Sequence, residues 1–499
     1  MQNLNESLQA KYPHLELAIL PLSQVNKDNE SKRIDSEYFK KSNLKLLDDL
    51  YKYGTLQVQD IAIEVTDGIH TTIDYDTNST INLISASSPQ ENYFTLTNEC
   101  VSPEMHANNP RTAIQENDVI VSTVGTIGNC AVATKSILPA NSSRSVGIIR
   151  LNLNKYSPFV LSTFLVSKYG RVQTLRESTG NVQLCLFIHK LKELKIPQFS
   201  QDFQLEIQKL VQDSHKALED SKRLYKEAQE LLYKELELDF KNPLESLLKS
   251  SLQAKKPSEL AIINDISKKY PHLNISVRPL SKSLHKSGRL DSEYYQSKYD
   301  LMETKIKDYK GGYCKLQDIG FFTNGSFIPE NLYTQHAKRA YIRIRELSFN
   351  APIRIQECIY IDDNFEATNE TMVKQNDFVI ATIGNTIGKI NLIPKELNGS
   401  FISNNTSRFR LTDTSIIPEF LELLLRNFVV QEQIQREFTQ TAQPKISNTS
   451  LENILIPKIA TATQEQIALK IQKSFTLRAK SKDLLQNAKM RLENAIENG

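Results

Sequence analysis

The sequence predicts an α+β protein in which one mixed α/β module is built twice, with pseudo-twofold internal symmetry. Two long antiparallel helices are expected to join the copies as a coiled-coil spacer. Three observations predict this. The stretch RIDSEYF at 33–39 returns as RLDSEYY at 289–295, and both copies follow the same lead-in: KYPHL then PLS, at 11–15 with 21–23 and at 269–273 with 279–281. Two echoes in one order mark an internal repeat, which fixes the architecture before any local reading. The second observation is a strand–glycine turn–strand pattern, NDVIVSTVGTIG at 117–128 and NDFVIATIGNTIG at 376–388. The third is a pair of long apolar-periodic stretches, one after each module.

The elements follow in order. Residues 1–12 are a short amphipathic helix stopped by Pro13, and its counterpart is 259–270, stopped by Pro271 and opened by the N-cap candidate Ser258. Helices at 40–53 and 296–310 end at Gly54 and at Gly311-Gly312, the usual C-terminal stop. Each module then turns to strands, with alternation in Ile81 to Ile84 and in Tyr341 to Arg345. The glycine hairpins come next, differing by one residue inserted in the turn, where insertions are tolerated. Helical stretches at 157–176 and 418–438 lead to the loops GNVQLCLFI (180–188) and TAQPKISNT (441–449), which place Gln183 and Gln443 alike. The copies close at Pro197 and Pro457.

Beyond those prolines the stretches 204–238 and 464–496 would each form a helix about 50 Å long at the standard rise. Their seams match position by position: Ile207 with Ile467, Val211 with Ile471, Tyr225 with Leu485, Leu232 with Leu492. Small residues match as well: Ser214 with Ser474, Ser221 with Ser481, Ala228 with Ala488. Steps of three and four are coiled-coil spacing, and small seam residues let two helix backbones approach closely. The expected domains are 1–200 and 259–460 as globular units, 201–240 and 461–499 as long helices, and 241–258 as linker.

Composition bounds the function. A chain of 499 residues suggests about two to four domains, and 39% hydrophobic residues can bury real cores. The net charge of +3 allows basic patches without a polybasic tail. Five scattered cysteines show neither CxxC nor Cys/His metal spacing, which fits a reduced interior. The N-terminus lacks the apolar core of a signal peptide and no run reaches membrane-span length, so the expectation is cytoplasmic with no membrane.

No catalytic signature is present: no Walker A loop, HExxH or GxSxG, nor the Asn/Asp-Pro-Pro-aromatic run of amino-methyltransferases. The expectation is a non-enzymatic protein with no cofactor and no metal. The glycines of 124–128 read as hairpin punctuation, not as a phosphate cradle. His14 and His272 read as turn hydrogen-bonders. The repeated carboxylates Asp35 with Glu37 and Asp291 with Glu293 read as structural or subunit contacts. A basic surface is the better signal: Lys338 precedes Arg339, Tyr341, Arg343 and Arg345, which share one face if the segment is a strand. Guanidiniums beside an aromatic ring suit phosphate and guanine contacts, and the alternative is a solvated face balanced by acids such as Glu346. Arg144 and Arg408 recur after Asn/Ser-rich loops, His70 lies in the polar loop DGIH (67–70), and Gln183, Gln443 and Lys445 lie in the repeated loops. These are the candidate DNA-binding residues.

Taken together, RIDSEYF, DGIH, YIRIREL (341–347), the glycine hairpins, TAQPKI (441–446) and Ile456-Pro457 before a Gln-Glu-Gln helix resemble the specificity subunit of type I restriction-modification systems, nearly end to end. The resemblance implies that each globular unit is a target-recognition domain reading half of a bipartite double-stranded DNA site. It also implies that the helices set the spacing and dock DNA methyltransferase subunits, with restriction/translocase subunits in the full complex. The first module departs from the pattern, with INLISA in place of the basic strand and Leu184-Cys-Leu in place of Pro444-Lys-Ile. The alternatives are the recognition subunit of a related type II system with a fused methyltransferase-nuclease, and a helical adaptor that does not bind DNA.

Overall fold

The computed structural model describes residues 2–17, 19–26, 29, 32–180, 183–252, 280, 283, 288–334, 337–365, 372–438 and 443–499. The second KYPHL lead-in, the helix expected at 259–270 and His272 lie outside these. Two compact units are found, residues 1–219 with 478–499 and residues 220–477.

In the first unit, helix Lys41–Tyr53 leads into strand Thr55–Gln57, which pairs antiparallel with Lys195–Pro197. The main sheet is antiparallel, in the order Ala62–Asp67, Val146–Leu151, Val119–Ser122, Cys130–Val132. Alternation along its central strand divides two cores. Val119 and Val121 face helices Pro158–Val166 and Lys168–Arg176, and Ile120 faces a smaller cluster with Ile84, Ile137 and Ile148. A strand apolar on both sides is a strand covered on both sides. The short strand Asn82–Ile84 runs parallel to Ala140–Ser142.

The second unit repeats this frame. Tyr313–Lys315 pairs with Leu455–Pro457, and the main sheet runs Gly320–Asn324, Thr406–Leu411, Phe378–Ala381, Ile390–Leu392. Phe378 and Ile380 enter one core and Val379 and Ala381 another. Arg339–Ile342 runs parallel to Phe401–Ile402, as Asn82–Ile84 does to Ala140–Ser142. Both glycine hairpins form as the sequence predicts. The helical stretches each break once: Ser167 and Asn427 cap the second halves, accepting from the backbone N–H of Gly170 and Val429.

The RxDSEY repeat is a clip. Arg33 donates through Nε and Nη2 to Asp35 at 2.7 and 2.9 Å, and through Nη1 to the Arg176 and Ser178 carbonyls at 2.7 and 3.1 Å. Asp35 accepts from the Tyr38 N–H, and the Arg176 guanidinium lies 3.9 Å from the Tyr38 ring centre. Arg289, Asp291, Tyr294 and Arg436 repeat the arrangement. Each clip holds the C-terminal end of the helix that precedes the glutamine loop. Glu37 and Glu293 stay exposed.

The long helices are Gln201–Glu235 and Thr461–Asn498. In the first unit Ser214 Oγ donates to the Ser481 carbonyl at 2.8 Å, and Ile207 and Val211 share a core with Ala488, Leu492 and Ile496. In the second unit Ser474 Oγ donates to the Ser221 carbonyl at 2.8 Å, and Ala228 and Leu232 share a core with Ile467 and Ile471. Positions that rise along one helix meet positions that fall along the other, so the pairing within each unit is antiparallel. Among the described residues no helix is long and apolar enough to cross a membrane.

Candidate nucleic-acid interface

One end of each main sheet gathers four or five loops in the same way. In the first unit Gly68 brings the DGIH loop onto the 142–144 backbone: Ile69 N–H donates to the Ser142 carbonyl at 2.8 Å and Arg144 N–H returns to Ile69 at 3.1 Å. A Cβ on Gly68 would lie 2.2 Å from the Ser143 carbonyl oxygen, so only glycine allows this approach. Ser143 N–H reaches the Ile84 carbonyl, which fixes the 85–88 turn beside it. Thr123 N–H donates to Ser145, Thr126 Oγ1 to the Ala86 carbonyl, and Leu186 N–H to Thr123. The hairpin turn and the Gln183 loop thereby join the group. His70, Arg144 and Gln183 are all exposed here, and the His70 Nε2 lies 2.6 Å from Asp67 Oδ2.

The second unit repeats the backbone ties made by Ile69, Ser143, Thr123 and Leu186. Gly325 lies as close to the Ser403 carbonyl as Gly68 does to Ser143, and Ser326 N–H donates to Ile402. Ser403 N–H reaches Ile342, Thr382 N–H reaches Asn405, and Ile446 N–H reaches Thr382. This register makes Asn324 to Phe327 the counterpart of the DGIH loop. Arg343 to Glu346 becomes the counterpart of Ser85 to Ser88, and Asn404 that of Arg144. Arg343, Arg345, Gln443 and Lys445 therefore belong to one loop group, together with Asn404 and the exposed Phe327.

Several sequence expectations change here. The strand carrying Arg339 ends at Ile342, and Ile344–Glu346 is a 3-10 turn, so Arg339, Tyr341, Arg343 and Arg345 do not share a strand face. The turn forms because Glu346 caps it, accepting from the Arg343 N–H at 2.6 Å. Tyr341 is buried, and its hydroxyl donates to the Ser326 carbonyl at 2.8 Å, which supports the 324–327 loop from beneath. Lys338 and Arg339 lie at the opposite end of that strand, where Arg339 donates to the Asp363 and Phe365 carbonyls. Arg408 is not the counterpart of Arg144. It occupies the place of Ile148 inside the main sheet, buried, and donates to the Met372 carbonyl and to Thr323 Oγ1.

Glu346 is fully buried and holds two arginines: Oε1 accepts from Arg343 Nη2 at 2.7 Å and lies 3.3 Å from Arg345 Nε. Behind each loop group a second repeated pair braces the sheet. Arg150 donates twice to Asp118 and Arg410 twice to Asp377, and the preceding Asn117 and Asn376 are both left-handed. Burial raises the Asp118 carboxyl above its ordinary value even with Arg150 beside it. Among the described residues no group of three His, Cys, Asp or Glu side chains could hold a metal ion.

Comparison with known proteins gives one family match: residues 308–487 fit the type I restriction modification DNA specificity domain. Among solved structures, the S subunit of a type I restriction-modification system from M. genitalium aligns at 12% identity over 89% of this chain and 94% of its own, with a TM-score of 0.43. The HsdS subunit of Thermoanaerobacter tengcongensis aligns at 14% identity over 89% and 96%, with a TM-score of 0.27. The type IIG restriction endonuclease BpuSI aligns at 12% identity over 43% and 35%, also at 0.27. No curated protein matches the chain. At those scores the structural likenesses carry no argument, and what stands is the family match, in which residues 308–487 are similar to the type I restriction modification DNA specificity domain.

Proposed function

We propose that this protein is the DNA-binding specificity subunit of a type I restriction-modification complex. Each unit reads one half of a bipartite double-stranded target with the loop group at the end of its main sheet. The observation that carries the reading is the duplication of that group, tied by matching backbone hydrogen bonds at Ile69 and Ser326, Ser143 and Ser403, Thr123 and Thr382, and Leu186 and Ile446, and rich in exposed donors: Arg144, His70 and Gln183 in one, Arg345, Asn404, Gln443 and Lys445 in the other. Loops on a rigid sheet present side chains to a partner, and arginine, lysine, asparagine and glutamine are the usual readers of phosphates and base edges. The long helices set the spacing between half-sites and dock the methyltransferase subunits, and restriction/translocase subunits complete the assembly. The test is co-expression with the methyltransferase of its own system, followed by mapping of methylated bases. A discontinuous motif with a fixed unread spacer is expected. Methylation without a motif, or no salt-dependent DNA binding by the complex, would refute the reading.

A further inference from the structure

We propose that the two units read different chemistry at the same place in their frames. In the second unit Arg345 reads a guanine in the major groove and Glu346 positions it, whereas the 85–88 turn of the first unit makes no such contact. This inference rests on the DNA-recognition reading above and deepens it to one residue and one base.

The two turns are the same element. Each follows a short strand in a parallel pair, at Ile84 beside Ser142 and at Ile342 beside Ile402. Each closes with an i to i+3 backbone bond, Ser88 to Ser85 and Glu346 to Arg343. Each is capped by the side chain of its fourth residue, Ser88 Oγ for the Ser85 N–H and Glu346 Oε2 for the Arg343 N–H, and both capping residues have zero exposure. What differs is the charge. Residues 85, 87 and 88 are serines, and 343, 345 and 346 are arginine, arginine and glutamate.

A carboxylate with no solvent access persists only with cations and N–H groups around it. Glu346 Oε2 accepts from the Arg343 N–H, and Oε1 accepts from the Arg343 guanidinium and lies 3.3 Å from Arg345 Nε. The two arginines then differ. The Arg343 side chain is 24% exposed, and its Nε is buried without a partner. The Arg345 side chain is 64% exposed, and Nε is its nearest nitrogen to the Glu346 carboxylate. Its two terminal nitrogens make no hydrogen bond among the described residues. A guanidinium oriented from behind by a carboxylate, with its terminal pair of donors open, is the fork that matches guanine O6 and N7. Orientation before binding lowers the ordering cost of the contact. In the first unit the Ser85 and Ser87 hydroxyls lie 3.2 Å apart, and neither serine can offer two parallel donors at an arginine's reach.

The experiment is selection of bound duplexes from a randomised pool by the full-length chain with its methyltransferase partner. It compares the wild type with R345A, R345K and E346Q, with thermal melting to confirm folding. The wild type is expected to enrich a bipartite motif with a guanine in one half. R345A and R345K are expected to lose that guanine alone by roughly 5- to 150-fold, the range for one bidentate contact, with the other half unchanged. Phosphate contacts carry no sequence information, so retained guanine preference in R345A would take the base contact away from Arg345 and overturn the proposal. E346Q is expected to relax the same position with Arg345 still in place. Unchanged preference in E346Q would remove the positioning role. A wild type that enriches no motif would overturn the recognition reading itself, an outcome distinct from a motif that none of the variants alters.

Discussion

Arg33 and Arg289 each bind an aspartate two residues on and the carbonyls at the end of a distant helix, so one side chain closes a turn and fastens a terminus. The bond from its arginine holds each aspartate carboxyl below the usual range, helped by the tyrosine N–H. A folded value lower than the unfolded one contributes stability that is complete above about pH 4 and is lost as pH falls through the folded value. D291N is therefore expected to lower stability at neutral pH by about 1–2 kcal/mol, less than a fully buried pair because the site is partly solvated. It should also flatten the acid side of a melting-temperature profile, measured against the wild type from pH 6 to 3. At Gly68 and Gly325 the constraint is steric. G325A places a methyl against the Ser403 carbonyl and is expected to cost about 1–3 kcal/mol, read by denaturant unfolding. The clip was legible in the sequence as a repeat, but its chemistry was not. The arginine's other partners are backbone carbonyls about 140 residues away, which no local pattern encodes.

Elements were more legible than sites, because periodicity reports burial and burial decides the frame. The strands at 119–122 and 378–381 and the long helices lie where their apolar patterns put them. The exception is the segment after Ile342, whose alternation continues past the end of the strand. Alternation records which residues are apolar, but the buried Glu346 that caps the Arg343 N–H turns the chain there. Arg144 and Arg408 show the converse error: similar sequence context, yet one falls in a turn and the other two residues into a strand. In the helices the small seam positions prove to be hydrogen-bonded layers, Ser214 with Ser481 and Ser221 with Ser474. S221A alone is expected to cost about 1 kcal/mol, because it leaves the Ser474 hydroxyl with fewer partners. S221A with S474A should cost less than the sum of the single changes, and a double-mutant cycle in urea measures the difference. S214L overfills a position with no exposure and should destabilise by about 1–3 kcal/mol.

Each long helix contributes residues to both units. If the units read the two halves of one target, the number of unread base pairs between them should not vary among the sites a single protein uses. About one helical turn of duplex, roughly 34–36 Å between half-site centres, is the expected separation. Alignment of all methylated sites checks this, and spacers of several lengths at equal occupancy would exclude the helices as the ruler. Binding should also weaken steeply with salt, since exposed basic donors meeting phosphates displace counterions. A titration between about 50 and 200 mM salt gives the number of phosphates engaged.

The shared turn also constrains how a sequence like this can change. Its path is set by backbone bonds that both versions make, so its side chains can be rewritten without disturbing the sheet beneath. The order of rewriting is not free. A glutamate placed at Ser88 before any arginine would be a buried charge with no cation, which costs several kcal/mol. An arginine arriving first at position 87 would project into solvent at little cost. Reversal meets the same asymmetry, because losing both Arg343 and Arg345 strands Glu346, whereas losing Glu346 first leaves two arginines that can turn toward solvent and a turn without its cap. A lineage moving between the serine and arginine versions should therefore pass through intermediates with arginine and no glutamate. New target preferences would arise along that route before the carboxylate arrives to sharpen them.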